Sequence, residues 1–481
     1  MSQRDLSLQM LRSLCPSEHH YLFSHWDELD DSQRLGLYEQ ISQIDFEGLR
    51  REFGSLPDSE GGTGTEEEMA QSVFGTSQSA DLAEPPEAVR LSERTPQLLA
   101  EANLEGSRAI SAGEVAMVLV AGGQGTRLGF DQPKGMYSIG PVSGRTLFQM
   151  HVDSLRGAMK KFGVSIPLLI MTGPSTDGPT REYFAKRGNL GLSDQELMIF
   201  QQGTMPAVDA KTGRILMEST SSIALSPDGH GGIVRALAKT GWFERAEQRG
   251  IKHLFYAQVD NPLVRACDPL LIGLHRLAGS QATTQVVEKR FATEKVGNVV
   301  KLEGKTQIIE YSDLPEQVAR QTNPDGSLKL WAGNIAVHVF DIDFLQQCRH
   351  SAQALPFHRA HKTVGYVDEF GKTHVPEKPN AIKLERFVFD LLPAASKSLV
   401  VESLASESFA PVKNATGSAS DTPETCKAAL VDLHRRWLRS AGVELDEGCS
   451  VEIHPLWAWD EQEVQARFQH SARIQSDTFF T

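Results

Sequence analysis

The stretch Val118-Leu119-Val120-Ala121-Gly122-Gly123-Gln124-Gly125-Thr126-Arg127-Leu128-Gly129, followed by Pro133-Lys134-Gly135, constrains this chain more than any other. It opens as an apolar run from Val115 to Ala121, long enough for a buried strand and too short to cross a membrane. Three glycines within four residues then break it. Glycine has no Cβ, so such a loop brings backbone N–H groups against a ligand that larger residues would hold off. A concavity of amides attracts anions, and Arg127 and Lys134 add two positive charges just beyond it. The pattern reads as a phosphate-handling loop at the carboxyl end of a strand, where open α/β sheets bind ligands.

Two familiar phosphate loops are excluded. A G-x-G-x-x-G dinucleotide fingerprint starting at Gly123 needs glycine at 128, where Leu128 stands. Gly304-Lys305-Thr306 and Gly371-Lys372-Thr373 end like a P-loop, but Val299 and Tyr366 hold the leading glycine positions.

A chain of 481 residues suffices for one large α/β domain with additions, or roughly three domain-sized units. Net charge is −14, which argues against nucleic-acid binding. It leaves small anionic substrates open, because a few cations focused in a cleft override the global sign. Cys15, Cys267, Cys348, Cys426 and Cys449 lie far apart with no C-x-x-C. That spacing fits reduced thiols and a cytoplasmic location better than a disulfide framework or a zinc site. Polar residues interrupt the leucines of Met1 to Cys15, so no signal peptide is expected. No segment is apolar enough to span a bilayer, and no membrane partner is expected.

Residues 1–103 read as a helical N-terminal region, with Leu35, Tyr38, Ile41 and Ile44 at helical spacing and a polar linker near 54–87. From Val115 to about Phe389, strand-like runs (166–171, 196–200, 251–259, 334–340) alternate with helix-like stretches (147–162, 233–249). Such alternation predicts a mostly parallel sheet covered by helices, with a core over 104–395. Residues 396–481 read as a small C-terminal domain, with a strand at 399–401 and a helix near 424–440.

Asp260 closes the apolar run 254–259 and precedes Asn261-Pro262. A carboxylate there suits Mg²⁺, which takes a few hard oxygens plus the substrate's phosphates; taken alone, a turn or capping aspartate explains it equally well. Ser226-Pro227-Asp228-Gly229-His230-Gly231-Gly232 is a second glycine-rich turn, plausible beside a base or sugar. Gln202 offers an amide matched to the edge of a uracil. Glu310, Tyr311 and Asn334 are candidates for a sugar pocket, although strand-end acids and turn asparagines are more often solvated. Lys383 and Lys413 gain weight only because a phosphate site needs cations. His358-x-x-His361 lacks a third ligand at metal-site spacing and reads as structural or solvent-facing.

The loop at 120–135 resembles the signature of the sugar-nucleotide pyrophosphorylases. With Gln202-Gly203-Thr204-Met205-Pro206-Ala207, Pro227-Asp228-Gly229, Val259-Asp260-Asn261, Val287-Glu288-Lys289, Glu310-Tyr311-Ser312, Ala332-Gly333-Asn334-Ile335, Lys378-Pro379-Asn380 and Pro411-Val412-Lys413-Asn414, the succession is similar to the eukaryotic-type UDP-N-acetylglucosamine pyrophosphorylases. The resemblance implies a Rossmann-like, mostly parallel mixed sheet of the nucleotide-diphospho-sugar transferase type, with smaller N- and C-terminal domains. It implies a uridylyltransferase acting on UTP and N-acetylglucosamine 1-phosphate, with Mg²⁺ bound alongside UTP. By position, Val120, Ala121, Gly122, Gly123, Gln202, Gly229, Asp260 and Lys383 would bind the nucleotide. Arg127, Lys134 and Lys413 would be catalytic, and Asp260 would hold the metal. His230, Glu310, Tyr311 and Asn334 would line the sugar pocket. His230 stands where the eukaryotic pattern has Asn, and Ala381 replaces a glycine; both bear on which sugar is used. A UDP-glucose or broader UDP-sugar enzyme, and a non-catalytic nucleotide-sugar sensor, are the alternatives.

Overall fold

Val115 to Leu119 are each at most 1% exposed, and they lie at the centre of the main sheet. The computed structural model describes residues 8–53, 80–351, 355–468 and 472–481, so the expected linker at 54–87 lies outside the described residues as far as residue 79. The chain divides into two units.

The larger unit gathers Val73–Gln201, Ala236–Arg349 and Leu391–Thr481. Its sheet contains β1 (Ala88–Val89), β2 (Val115–Val120), β3 (Leu168–Thr172), β4 (Leu197–Gln201), β5 (His253–Gln258), β6 (Ala282–Glu288), β7 (Asn298–Leu302), β8 (Lys305–Ile309), β9 (Ala332–Asp341) and β10 (Ser398–Ser403). The order is β1-β10-β6-β9-β5-β2-β3-β4, with the β7–β8 hairpin attached to β9. Along that path only β9 runs antiparallel, against β5 and β6. This is the mostly parallel mixed sheet that the alternation of runs predicts. Parallel strands covered on both faces need unbroken apolar sequence, which β2 and β3 supply.

From β2 the chain proceeds outward to β3 and β4, whereas β5 docks on the other side of β2. The connections therefore reverse between β2 and β5, and a crevice at such a switch point is where open sheets take ligands. Helices α1 (Pro96–Ser111), α2 (Leu147–Phe162), α3 (Pro269–Ala278) and α4 (Pro423–Ser440) belong to the same unit. Thr146 caps α2 in a reciprocal box with Gln149, and Gly163, at φ 64°, ends it. α1 and α3 touch backbone to backbone: a Cβ at Gly273 would fall 1.7 Å from the Ala102 carbonyl oxygen. The helix expected over 233–249 is two helices, Ile233–Lys239 and Trp242–Gln248, separated where Gly241 takes φ 67°.

The smaller unit gathers Met1–Ser72, Gln202–Arg235 and His350–Asp390. Its helix Asp31–Ser42 is capped by Asp30 and Gln33, and buries Leu37 and Ile41 with Val208, Ile223, Ile382 and Leu384 in one core. Residues 202–235 and 350–390, read from sequence as part of the 104–395 core, thus share their interior with the N-terminal helices. Conversely β10, which begins just after the expected boundary at 395, is a strand of the main sheet.

Candidate active site

In the larger unit, β2 and β5 are parallel and end in register, Val120 opposite Gln258. The glycine loop and Asp260 therefore emerge side by side. The loop folds back on itself: Gly125 N–H donates to the Gln132 carbonyl (2.9 Å) and Lys134 N–H to the Gly123 carbonyl (3.0 Å). This return brings the Lys134 ammonium to 3.4 Å from Asp260 Oδ2, both side chains being mostly buried. Among the described residues, the amides of Gly122, Gly123 and Gln124 have no acceptor. A Cβ at Gly123 would meet nothing within 4 Å, so packing within the protein does not demand glycine there. Three free amides, open space and a neighbouring lysine form a cradle for anionic oxygens. Arg127 is exposed, and among the described residues it makes no ion pair.

Asp260 caps no helix; Asp268 caps α3 instead. Its backbone is fixed from three sides. Val259 N–H donates to the Val120 carbonyl (3.0 Å) and Val412 N–H to the Asp260 carbonyl (2.8 Å). His151, buried in α2, donates from Nε2 to the Val259 carbonyl (3.1 Å), and burial pushes its pKa down to about 4, so the ring is neutral. Asn261, 2% exposed, ties in a distant segment: its Nδ2 donates to the Ser408 carbonyl (2.8 Å) and its Oδ1 accepts from Ala410 N–H (3.1 Å). These bonds place Lys413 beside the Asp260 strand end. Lys413 N–H donates to the Asp421 carbonyl (2.7 Å), and its ammonium lies 5.5 Å from the Phe409 ring centre. Burial raises the pKa of the Asp421 carboxyl, while Lys413 and Arg290 pull it down.

At the same edge of the sheet, β9 begins where its neighbours β5 and β6 end. Asn334 N–H donates to the Gly297 carbonyl (2.8 Å), and a Cβ at Gly297 would sit 3.1 Å from Glu310 Oε1 and 3.6 Å from Asn334 Cβ. Glu310 and Asn334 thus converge on Gly297. The Asn334 Oδ1 accepts from Ala336 N–H (2.9 Å). Tyr311 is 48% exposed.

The remaining expected residues belong to the smaller unit. Strand Thr204–Pro206 pairs antiparallel with Leu225–Pro227, and Asp228 N–H donates to the Gly203 carbonyl (3.0 Å). Gln202 and Gly229 thereby flank the same end of this strand pair. Gly229 has φ 81°, and a Cβ there would lie 2.4 Å from the Arg386 carbonyl oxygen. Arg386 clamps the turn, donating its N–H to the Asp228 carbonyl and accepting from Gly231 N–H, both at 2.8 Å. The His230 ring stacks on Phe387, its Nδ1 accepts from Val388 N–H (3.1 Å), and burial holds its pKa near 4. Lys383 lies on the strand Ala381–Glu385. His358 is bound to Asp390 (2.9 Å), in keeping with a structural role.

From sequence, Asn261 is named only as a neighbour of Asp260, without a role, and His151, Gly297 and the Arg386–Phe387 clamp are not singled out. The alternating Phe387-Val388-Phe389 run was the available signal for the clamp. Nothing local distinguishes Asn261 from a turn asparagine, because its partners are remote in the chain.

Residues 73–454 match the family described as UTP–glucose-1-phosphate uridylyltransferase. The chain is 37% identical over 447 residues to UDP-N-acetylhexosamine pyrophosphorylase-like protein 1 of Xenopus tropicalis, covering 89% of this chain and 84% of the relative. It is 39% identical over 355 residues to the UDP-N-acetylglucosamine pyrophosphorylase of Saccharomyces cerevisiae, covering 72% and 74% respectively. The crystal structure of the Trypanosoma brucei uridine diphosphate N-acetylglucosamine pyrophosphorylase superposes with a TM-score of 0.80 at 24% identity over 99% of both chains, a likeness of fold.

Proposed function

The chain belongs to the UTP–glucose-1-phosphate uridylyltransferase family, and from that premise we propose that it transfers a uridylyl group from UTP to N-acetylglucosamine 1-phosphate, releasing pyrophosphate. A phosphate oxygen of the sugar phosphate attacks the α-phosphorus of UTP in line. A new P–O bond forms as the bond to the β-phosphate oxygen breaks, and pyrophosphate leaves with the electron pair. The nucleophile is already an anion, so no strong base is needed; the obstacle is repulsion between two anions. The observation that carries the reading is the trio of free amides at Gly122–Gln124 beside Lys134 and Asp260.

Each residue has an assigned role on this reading. The backbone of Val120–Gly123 and the side chains of Gln202, Lys383 and Asp260 serve the nucleotide, with Gly229 on the uracil. Arg127, Lys134 and Lys413 neutralise the reacting phosphates. Glu310, Tyr311, Asn334 and His230 serve the sugar. Asp260 suits Mg²⁺, since a single mostly buried carboxylate supplies one hard oxygen and the substrate phosphates supply others. Bound there with UTP, the ion would neutralise phosphate charge. Among the described residues no helix is long and apolar enough to cross a membrane, and the five cysteines are free and buried; we place the enzyme in the cytoplasm.

Pyrophosphate release from UTP, measured with a panel of sugar 1-phosphates with and without Mg²⁺, tests the assignment. The expected result is Mg²⁺-dependent release that is fastest with N-acetylglucosamine 1-phosphate. Preference for glucose 1-phosphate would overturn the sugar assignment, and no release with any sugar would overturn the reaction.

A further inference from the structure

Within the larger unit, α1, α2, α3 and α4 enclose a cavity of about 760 Å³ with the turn at 262–264 and the segment 401–408. None of the residues assigned above lines it. Its volume lies in the range of roughly 300–1,000 Å³ usual for small-molecule sites. Phe162, Trp437 and Trp459 contribute apolar and aromatic wall.

The charges on the lining are unequal in their pairing. Glu402 accepts from Arg90 Nε (2.7 Å) and Leu91 N–H (2.9 Å). Asp268 pairs with Arg265 (3.0 Å) and Asp460 with Lys161. Arg94 is different. Its Nη2 donates to the Glu402 backbone carbonyl, its Nε is buried without an acceptor, and among the described residues no carboxylate lies within 4.0 Å of it. Burial lowers its pKa, and the Glu402 and Asp268 carboxylates beyond ion-pair distance offset that only in part. Glu407 and Glu461, the remaining acids of the lining, are exposed to solvent. A half-buried guanidinium whose Nε has no acceptor, set in the wall of a cavity that is partly polar and partly aromatic, favours a ligand that brings one negative charge.

We propose that this cavity binds a small organic anion with an apolar body, its anionic group on Arg94 and its body among Phe162, Trp437 and Trp459. The site has a route to the proposed reaction. Ser408 lines the cavity, and its carbonyl receives the Asn261 amide that tethers the Lys413 segment to Asp260. An occupant therefore bears on the position of Lys413 without touching the phosphate loop.

The test uses the full chain and anilinonaphthalene sulfonate, an aromatic body with a single anionic group, followed by fluorescence. Saturable binding of one probe per chain is expected, and saturating UTP and Mg²⁺ should not displace it, shifting its affinity only through the Ser408–Asn261 link. Arg94→Met should weaken it at least tenfold, and Ser107→Trp, which fills the cavity from α1, should abolish it. Equal affinity in both variants, or displacement of the probe by UTP, would overturn the proposal. The titration needs no turnover, so its failure is distinct from failure of the proposed reaction.

Discussion

Lys413 is the cation whose removal separates chemistry from folding. Among the described residues it makes no ion pair within 4.0 Å; its ammonium lies over Phe409 and acts on the Asp421 carboxyl at longer range. Lys413→Ala should therefore change stability by about 1 kcal/mol or less, since it removes a partly exposed cation with no ion pair from the neighbourhood of Asp421. Loss of a donor to the developing charge should cost roughly 2–4 kcal/mol of transition-state stabilisation, or about 30- to 900-fold in turnover. Turnover within threefold of the parent would remove Lys413 from the reaction. Single residues were legible where their type and setting were unusual together. Lys134 followed a glycine loop by a few residues, and Asp260 ended an apolar strand, so each carried its chemistry in its neighbours. Lys413 sits in an ordinary Pro-Val-Lys-Asn turn, and only the family resemblance singled it out. His230, proposed as a sugar contact, is held by partners that sequence spacing does not reveal: its ring stacks on Phe387 and its Nδ1 accepts from the Val388 amide.

At the scale of elements, the Asn261 tether joins the end of β5 to the segment after β10. Asn261→Leu fills a similar volume but leaves the Ser408 carbonyl and the Ala410 amide without their partner. Each buried orphan costs about 1–3 kcal/mol, so thermal unfolding should move to lower temperature. Turnover at saturating UTP should fall as well, because Lys413 is no longer held beside Asp260. A lower unfolding temperature with unchanged turnover would make the tether purely structural. Strands and helices were the most legible feature of the chain. The run 115–121 became β2, and the expected helix at 147–162 is α2 end to end, because Thr146, Gln149 and Gly163 mark its limits in sequence. The helix expected over 233–249 failed for a local reason: Gly241 adopts a left-handed conformation and starts a second helix. Short pairings such as Thr204–Pro206 with Leu225–Pro227 had no periodicity long enough to read.

For the molecule as a whole, sequence order concealed how the two units are assembled. Residues 202–235 and 350–390 lie inside the stretch read as one core, yet they bury Val208, Ile223, Ile382 and Leu384 with Leu37 and Ile41 of the N-terminal helices. Hydrophobic partners so far apart in the chain leave no local signature. What survives is the switch point: β2 and β5 side by side, their ends carrying the glycine loop, Lys134 and Asp260. A crystal structure with UTP and Mg²⁺ soaked in tests that claim most directly. The triphosphate should lie against the free amides of Gly122 to Gln124, within reach of Lys134 and Asp260. Nucleotide bound elsewhere, with those amides facing only solvent, would contradict it.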